Sequence, residues 1–114
     1  MTFAPAADAP AAATEEMAVL LLSARQASRA LRQHPRPEVS TASQIAQALS
    51  DDISGTARLI GVDTTEGWRL LDLRDRLDSH VLAVTALDGT GVRDDVVLDL
   101  IGRAVIDLVV NLRQ

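Results

Sequence analysis

Residues 94–114, DDVVLDLIGRAVIDLVVNLRQ, are apolar on nearly every side of the helix they would form. This shows in extreme form a pattern that runs through the whole chain. Apolar side chains recur three and four residues apart, and no segment alternates with the two-residue period of a half-buried strand. They are also almost all aliphatic, with Phe3 and Trp68 the only aromatics. A core of Leu, Val, Ile and Ala suits closely approaching helices better than a sandwich of aromatic and β-branched strands. VLAVTAL at 81–87 reads as a strand in isolation but continues the helical phase of the residues before it. The fold class expected is all-α.

Four helical segments are predicted. The first covers residues 14–33, with Thr14 as N-cap and Glu15 and Glu16 favourable to the helix dipole. HPRP at 34–37 stops it, since two prolines cannot continue a helix. The second covers residues 41–60, with a capping box from Thr41 to Gln44 and Gly61 as C-cap. The third covers residues 64–87, with Asp63 and Glu66 spaced for another capping box, and DGTG at 88–91 ends it. The fourth covers residues 92–113, with Asp94 and Asp95 in its first turn and Arg113 in its last, both favourable to the dipole. Short connections make sequential helices antiparallel neighbours, so the architecture expected is an up-down-up-down four-helix bundle over residues 14–114. Residues 1–13, MTFAPAADAPAAA, hold two prolines and few side chains that could pack, and read as a flexible, disordered tail. That stretch has neither the positive start nor the apolar run of a signal peptide.

Composition narrows the function. A chain of 114 residues suits one domain. The net charge of -5 argues against nonspecific nucleic-acid binding, which depends on neutralising phosphates. With no cysteine, disulfides, thiolate nucleophiles and zinc–thiolate sites are impossible; this suits a cytoplasmic setting. Lysine is absent while arginine and alanine abound, which fits the codon bias of a GC-rich bacterial genome.

Unrolled at 100° per residue, the segments separate their faces. The second is the plainest, with Ile45, Ala46, Leu49, Ile53, Ala57 and Ile60 opposite Ser43, Gln47, Ser50, Ser54 and Arg58; it needs one neighbouring surface. The first has a stripe at Met17, Leu20, Leu21, Ala24, Ala27 and Leu31, with Leu22 on the far side among Arg25, Arg29 and Arg32. The third has Leu70, Leu73, Leu77, Val81 and Val84 inside and i,i+4 pairs Asp72–Arg76 and Arg74–Asp78 outside. Trp68 falls opposite that stripe, with Leu71, Leu82 and Ala86 near it. The fourth has Val97, Leu100, Ile101, Ala104, Val105, Leu108 and Leu112 on a broad core face and Asp95, Asp99, Arg103 and Asp107 on a polar ridge.

Ile106 and Val110 sit one turn apart inside that polar sector, with no place in a simple monomeric core. Either such residues are scattered surface apolars, which every protein has, or they form an association surface. The second reading makes Trp68, Leu71, Leu82, Ile106 and Val110 the interface of a homodimer or of a complex with a protein partner, with Trp68 as an anchor. The charged ridge opposes a membrane span, since each ionic residue near mid-span costs about 2.5–3.5 kcal/mol on insertion scales.

No catalytic, cofactor or metal site is expected. His80 flanks the third core stripe with no second histidine nearby in sequence, and His34 lies in the HPRP loop. Asp72, Asp75 and Asp78 recur every three residues, and Asp95 and Asp99 share a face. Acidic pairs from facing helices can hold magnesium. The arrangement resembles the all-α nucleotide pyrophosphohydrolases of the MazG type, in which an ExxE helix faces an ExxD helix; this would imply a metal-dependent hydrolase. The chain departs from that pattern in offering Asp for Glu and a spacing of four between Asp95 and Asp99. QIAQALSDDISGTARLI at 44–60 resembles the core of a helix-turn-helix, which would imply a DNA-binding regulator with Arg58 on the reading helix. It lacks the turn glycine, and Asp51 and Asp52 oppose phosphate. GTG at 89–91 precedes a helix but is explained by a turn. The reading that the residues favour is a small non-catalytic interaction or regulatory module that self-associates through the fourth and third helices.

Overall fold

The computed structural model describes the backbone of residues 4–113 and the side chains of residues 14–113. It contains four helices, α1 (Ala4–Arg32), α2 (Val39–Ile60), α3 (Thr65–Thr85) and α4 (Asp94–Arg113), and no strand among the described residues. The side chains of the stretch expected as a tail, residues 1–13, lie outside those described. Thr14 sits within α1 rather than capping it.

Each helix packs on the next and α1 on α4, closing a four-cornered bundle. Named neighbours set the directions. Val19, Leu20 and Ser23 of α1 face Asp51–Leu59 of α2, whereas Gln26 and Ala27 face Ile45 and Ala48, so these two helices are antiparallel. Arg69 at the start of α3 donates to the Asn111 carbonyl near the end of α4. Arg36, just past α1, pairs with Asp99 in the second turn of α4 at 2.7 Å.

The core stripes sit where their periodicity places them. Leu20, Ala24, Leu31, Ile53, Leu70, Leu77, Ile101, Val105 and Leu108 are all buried. Leu98, outside the expected α4 face, is buried as well. Leu71 packs partly buried against this core.

α2 departs from its expected role. It touches all three other helices, α4 across the diagonal included, whereas α1 and α3 do not meet among the described residues. Ser50, assigned by its wheel position to the polar side, is 2% exposed, and Thr56, about 120° round the helix from it, is buried as well. Small side chains at Ala42, Ala46, Ser50 and Ala57 explain the central position, because they let neighbouring backbones approach. No buried side-chain polar atom among the described residues lacks a hydrogen-bond partner.

The helix starts differ from the sequence expectation: α1 begins at Ala4 and not at residue 14, and α4 at Asp94 and not at residue 92. α2 begins at Val39, two residues early, because burying Val39 extends the helix back to the proline loop; Glu38 is its N-cap without a side-chain bond, and the Thr41–Gln44 box does not form. α3 is capped by Thr64, not Asp63: Thr64 Oγ1 accepts from Gly67 N–H at 3.0 Å and donates to the Gly61 carbonyl at 2.6 Å. Gly61, at φ 105°, supplies the left-handed turn that ends α2 as expected.

Candidate docking groove between α1 and α4

In α1, Arg25, Arg29 and Arg32 recur at i, i+4 and i+7, within about 60° of arc. They form one ridge beside the core stripe of Leu20, Ala24 and Leu31. Across from that ridge α4 presents Ile106, Val109 and Val110, with Arg113 one turn beyond Val109. These residues and the buried Ser28 line a single groove. Ile106 is 39% exposed and Val110 48%, so the α4 side chains that had no place in the core stay open to solvent in the folded chain.

The electrostatics of this groove are unusual for the molecule. Arg36, Arg69, Arg74, Arg76 and Arg93 each pair with a carboxylate, whereas Arg58 and Arg103, both outside the groove, form no ion pair among the described residues. Arg25, Arg29, Arg32 and Arg113 have no carboxylate partner among the described residues, and no acidic residue lines the groove. Helix dipoles favour cations in a last turn, which accounts for Arg29, Arg32 and Arg113 singly. They account neither for Arg25 nor for the convergence of four cations on one aliphatic strip. Like charges at i,i+4, such as Arg25 and Arg29, destabilise an exposed helix by about 0.2–0.5 kcal/mol unless an anion offsets them.

The other residues expected at an interface stand elsewhere. Trp68 is 69% exposed and Leu82 74%, both on α3. Leu82 lines a shallow groove between α2 and α3 with Ser43, Gln47, Asp78 and Thr85. None of Trp68, Leu71 and Leu82 lines the groove that holds Ile106 and Val110, so the five residues do not share one groove. Reading the sequence also missed Val19 and Leu59, which are exposed beside Asp51 and Asp52 in a groove between α1 and α2. The arginine ridge had an overlooked signal: residues 17–37 hold four arginines and no carboxylate.

The candidates for chemistry disperse. Asp72 bridges Arg76 at 3.0 Å, Asp75 bridges Arg74, Asp95 bridges Arg93 and Asp99 bridges Arg36. Arg74 therefore takes Asp75 and Ser54 Oγ rather than the expected Asp78. The paired-carboxylate arrangement of the MazG-type reading is not assembled, and no cluster of metal-ligating side chains occurs among the described residues. His80 is exposed beside Arg76, Asp107 and Asn111. α2 runs unbroken through residues 50–52, so the helix-turn-helix reading loses its turn; Ser50 and Ile53 are held in one helix by their shared burial. No described helix is long and apolar enough to cross a membrane. No family model, curated protein or solved structure matches the chain.

Proposed function

We propose that the chain is a non-catalytic helical interaction module whose working surface is the α1–α4 groove. α4 would be shared between its own bundle on one flank and a docked polypeptide on the other. The observation that carries this reading is the pair Ile106 and Val110, one turn apart and exposed in the groove, beside an α4 core face whose Val97, Ile101, Val105 and Leu108 are buried. With about half of each side chain already covered, docking would gain roughly half of the 1.5–3 kcal/mol that full burial of such a side chain is worth.

A second copy of the chain remains an occupant under this reading. An isologous dimer centred on the groove would set the four arginines of one copy against those of the other, which like-charge repulsion opposes. Head-to-tail association has a specific observation in its favour: the α1–α2 groove, with Val19, Leu59, Asp51 and Asp52, is apolar and acidic.

A photo-crosslinking residue in place of Val110, introduced in the host, tests the proposal. One discrete crosslinked polypeptide is expected, its mass telling self from non-self, and it should vanish when Ile106→Asp is added. The absence of any discrete product at position 110, or one indifferent to Ile106→Asp, would remove the reading.

A further inference from the structure

Four cations sit within about 10 Å along α1 and at the facing end of α4, around an aliphatic floor, in a protein of net charge -5. Setting these four charges aside leaves -9 on the rest of the chain. The molecule is thus segregated into one small basic, greasy strip and a broadly acidic remainder. We infer that the α1–α4 groove receives an acidic amphipathic helix from a different protein, whose aliphatic side chains cover Ile106 and Val110 and whose carboxylates pair with Arg25, Arg29, Arg32 and Arg113.

This rests on the docking reading above and adds the partner's chemistry. The helix is the natural occupant because a groove between two helices takes side chains spaced at i, i+3, i+4 and i+7. The guanidinium matches a carboxylate in bidentate geometry, so the flanks select Asp or Glu. A nucleic acid fits less well. The groove offers no aromatic ring for a base to stack on, and the acidic remainder repels a polyanion that extends beyond the strip.

The test uses the full chain and three labelled probes in fluorescence anisotropy: an eighteen-residue helical peptide with leucine on one stripe and glutamate on its flanks, its counterpart with lysine for every glutamate, and a twenty-nucleotide single-stranded DNA. The acidic peptide should bind at least tenfold more tightly than the other two, and weaken as salt is raised. Arg25→Glu with Arg29→Glu should weaken the acidic peptide at least tenfold and favour the lysine peptide, whereas Arg25→Lys with Arg29→Lys should retain most of the binding. Ile106→Asp should weaken both peptides. Circular dichroism confirms helix content in each variant.

Equal binding of the two peptides, or no binding of the acidic one, overturns the inference. Peptide binding that is lost with Ile106→Asp but indifferent to the arginine reversals leaves the docking reading standing and the acidic partner discarded; indifference to both discards the two together. DNA that binds more tightly than the peptide and depends on Arg25 and Arg29 overturns it in favour of a nucleic acid. A dimer by sedimentation that the arginine reversals dissociate overturns it in favour of a second copy.

Discussion

The Cα of Gly67 lies so close to the carbonyl oxygen of Gly61 that a β-carbon there would overlap the Gly61 backbone. Thr64 closes the same turn from between them, donating to that carbonyl and accepting from Gly67 N–H. The joint between α2 and α3 therefore depends on a missing side chain as much as on a hydrogen bond. Gly67→Ala should destabilise the fold by about 1–3 kcal/mol, since backbone cannot yield as the end of a flexible side chain can. Thr64→Ala should cost about 0.5–2 kcal/mol by removing the cap. Urea unfolding of both single variants measures the two; a neutral Gly67→Ala would contradict the geometry of the turn.

Gly55 and Gly102 should behave oppositely. Both lie inside helices, and a β-carbon at either meets nothing within 4 Å. Glycine in a helix interior loses about 0.5–1 kcal/mol relative to alanine through backbone entropy. Gly55→Ala and Gly102→Ala are each expected to raise stability by up to about 1 kcal/mol, read as a higher melting temperature. A lower one at Gly102 would place α4 closer to its neighbours than the structure has it.

Leu77 and Leu82 test the phase of α3. Leu77 is buried against the core and Leu82 is open to solvent. Leu77→Ala should cost about 2–5 kcal/mol as a cavity. Leu82→Ala should stay within about 0.5 kcal/mol of the parent. Comparable losses at the two positions in thermal melts would mean that α3 is rotated from its described orientation.

Arg36 and Asp99 join the proline loop to α4 at 2.7 Å, with both side chains partly open to water. A double-mutant cycle with alanine at each should return a coupling of about 0.2–1 kcal/mol, the range of exposed ion pairs. The coupling should shrink in 1 M salt, where the screening length falls to about 3 Å. A coupling that survives high salt undiminished would point to a buried contact instead.

Helix number, order and core phase were legible in the residues because each depends on local periodicity. Leu70, Leu73 and Leu77 share a face wherever the helix is placed. Gly61 ends α2 for a similarly local reason, its left-handed φ. The helix starts were less legible, since Val39 is helical because a distant core buries it, and the choice of Thr64 over Asp63 follows from where Gly61 ends the preceding helix. The central position of α2 was not legible at all: Ser50 looks like a surface residue until the bundle closes over it.

The surplus of apolar residues on α4 was visible in the sequence, down to Ile106 and Val110. What surrounds them was not. Arg25 and Val110 are separated by most of the chain, and no periodicity within α1 or α4 says which edges of the two helices adjoin. Only the closing of the bundle brings the unpaired arginines of one helix to the open aliphatic strip of the other. A helix's own faces are set by a repeat of 3.6 residues, whereas a groove belongs to two helices at once and exists only after they pack.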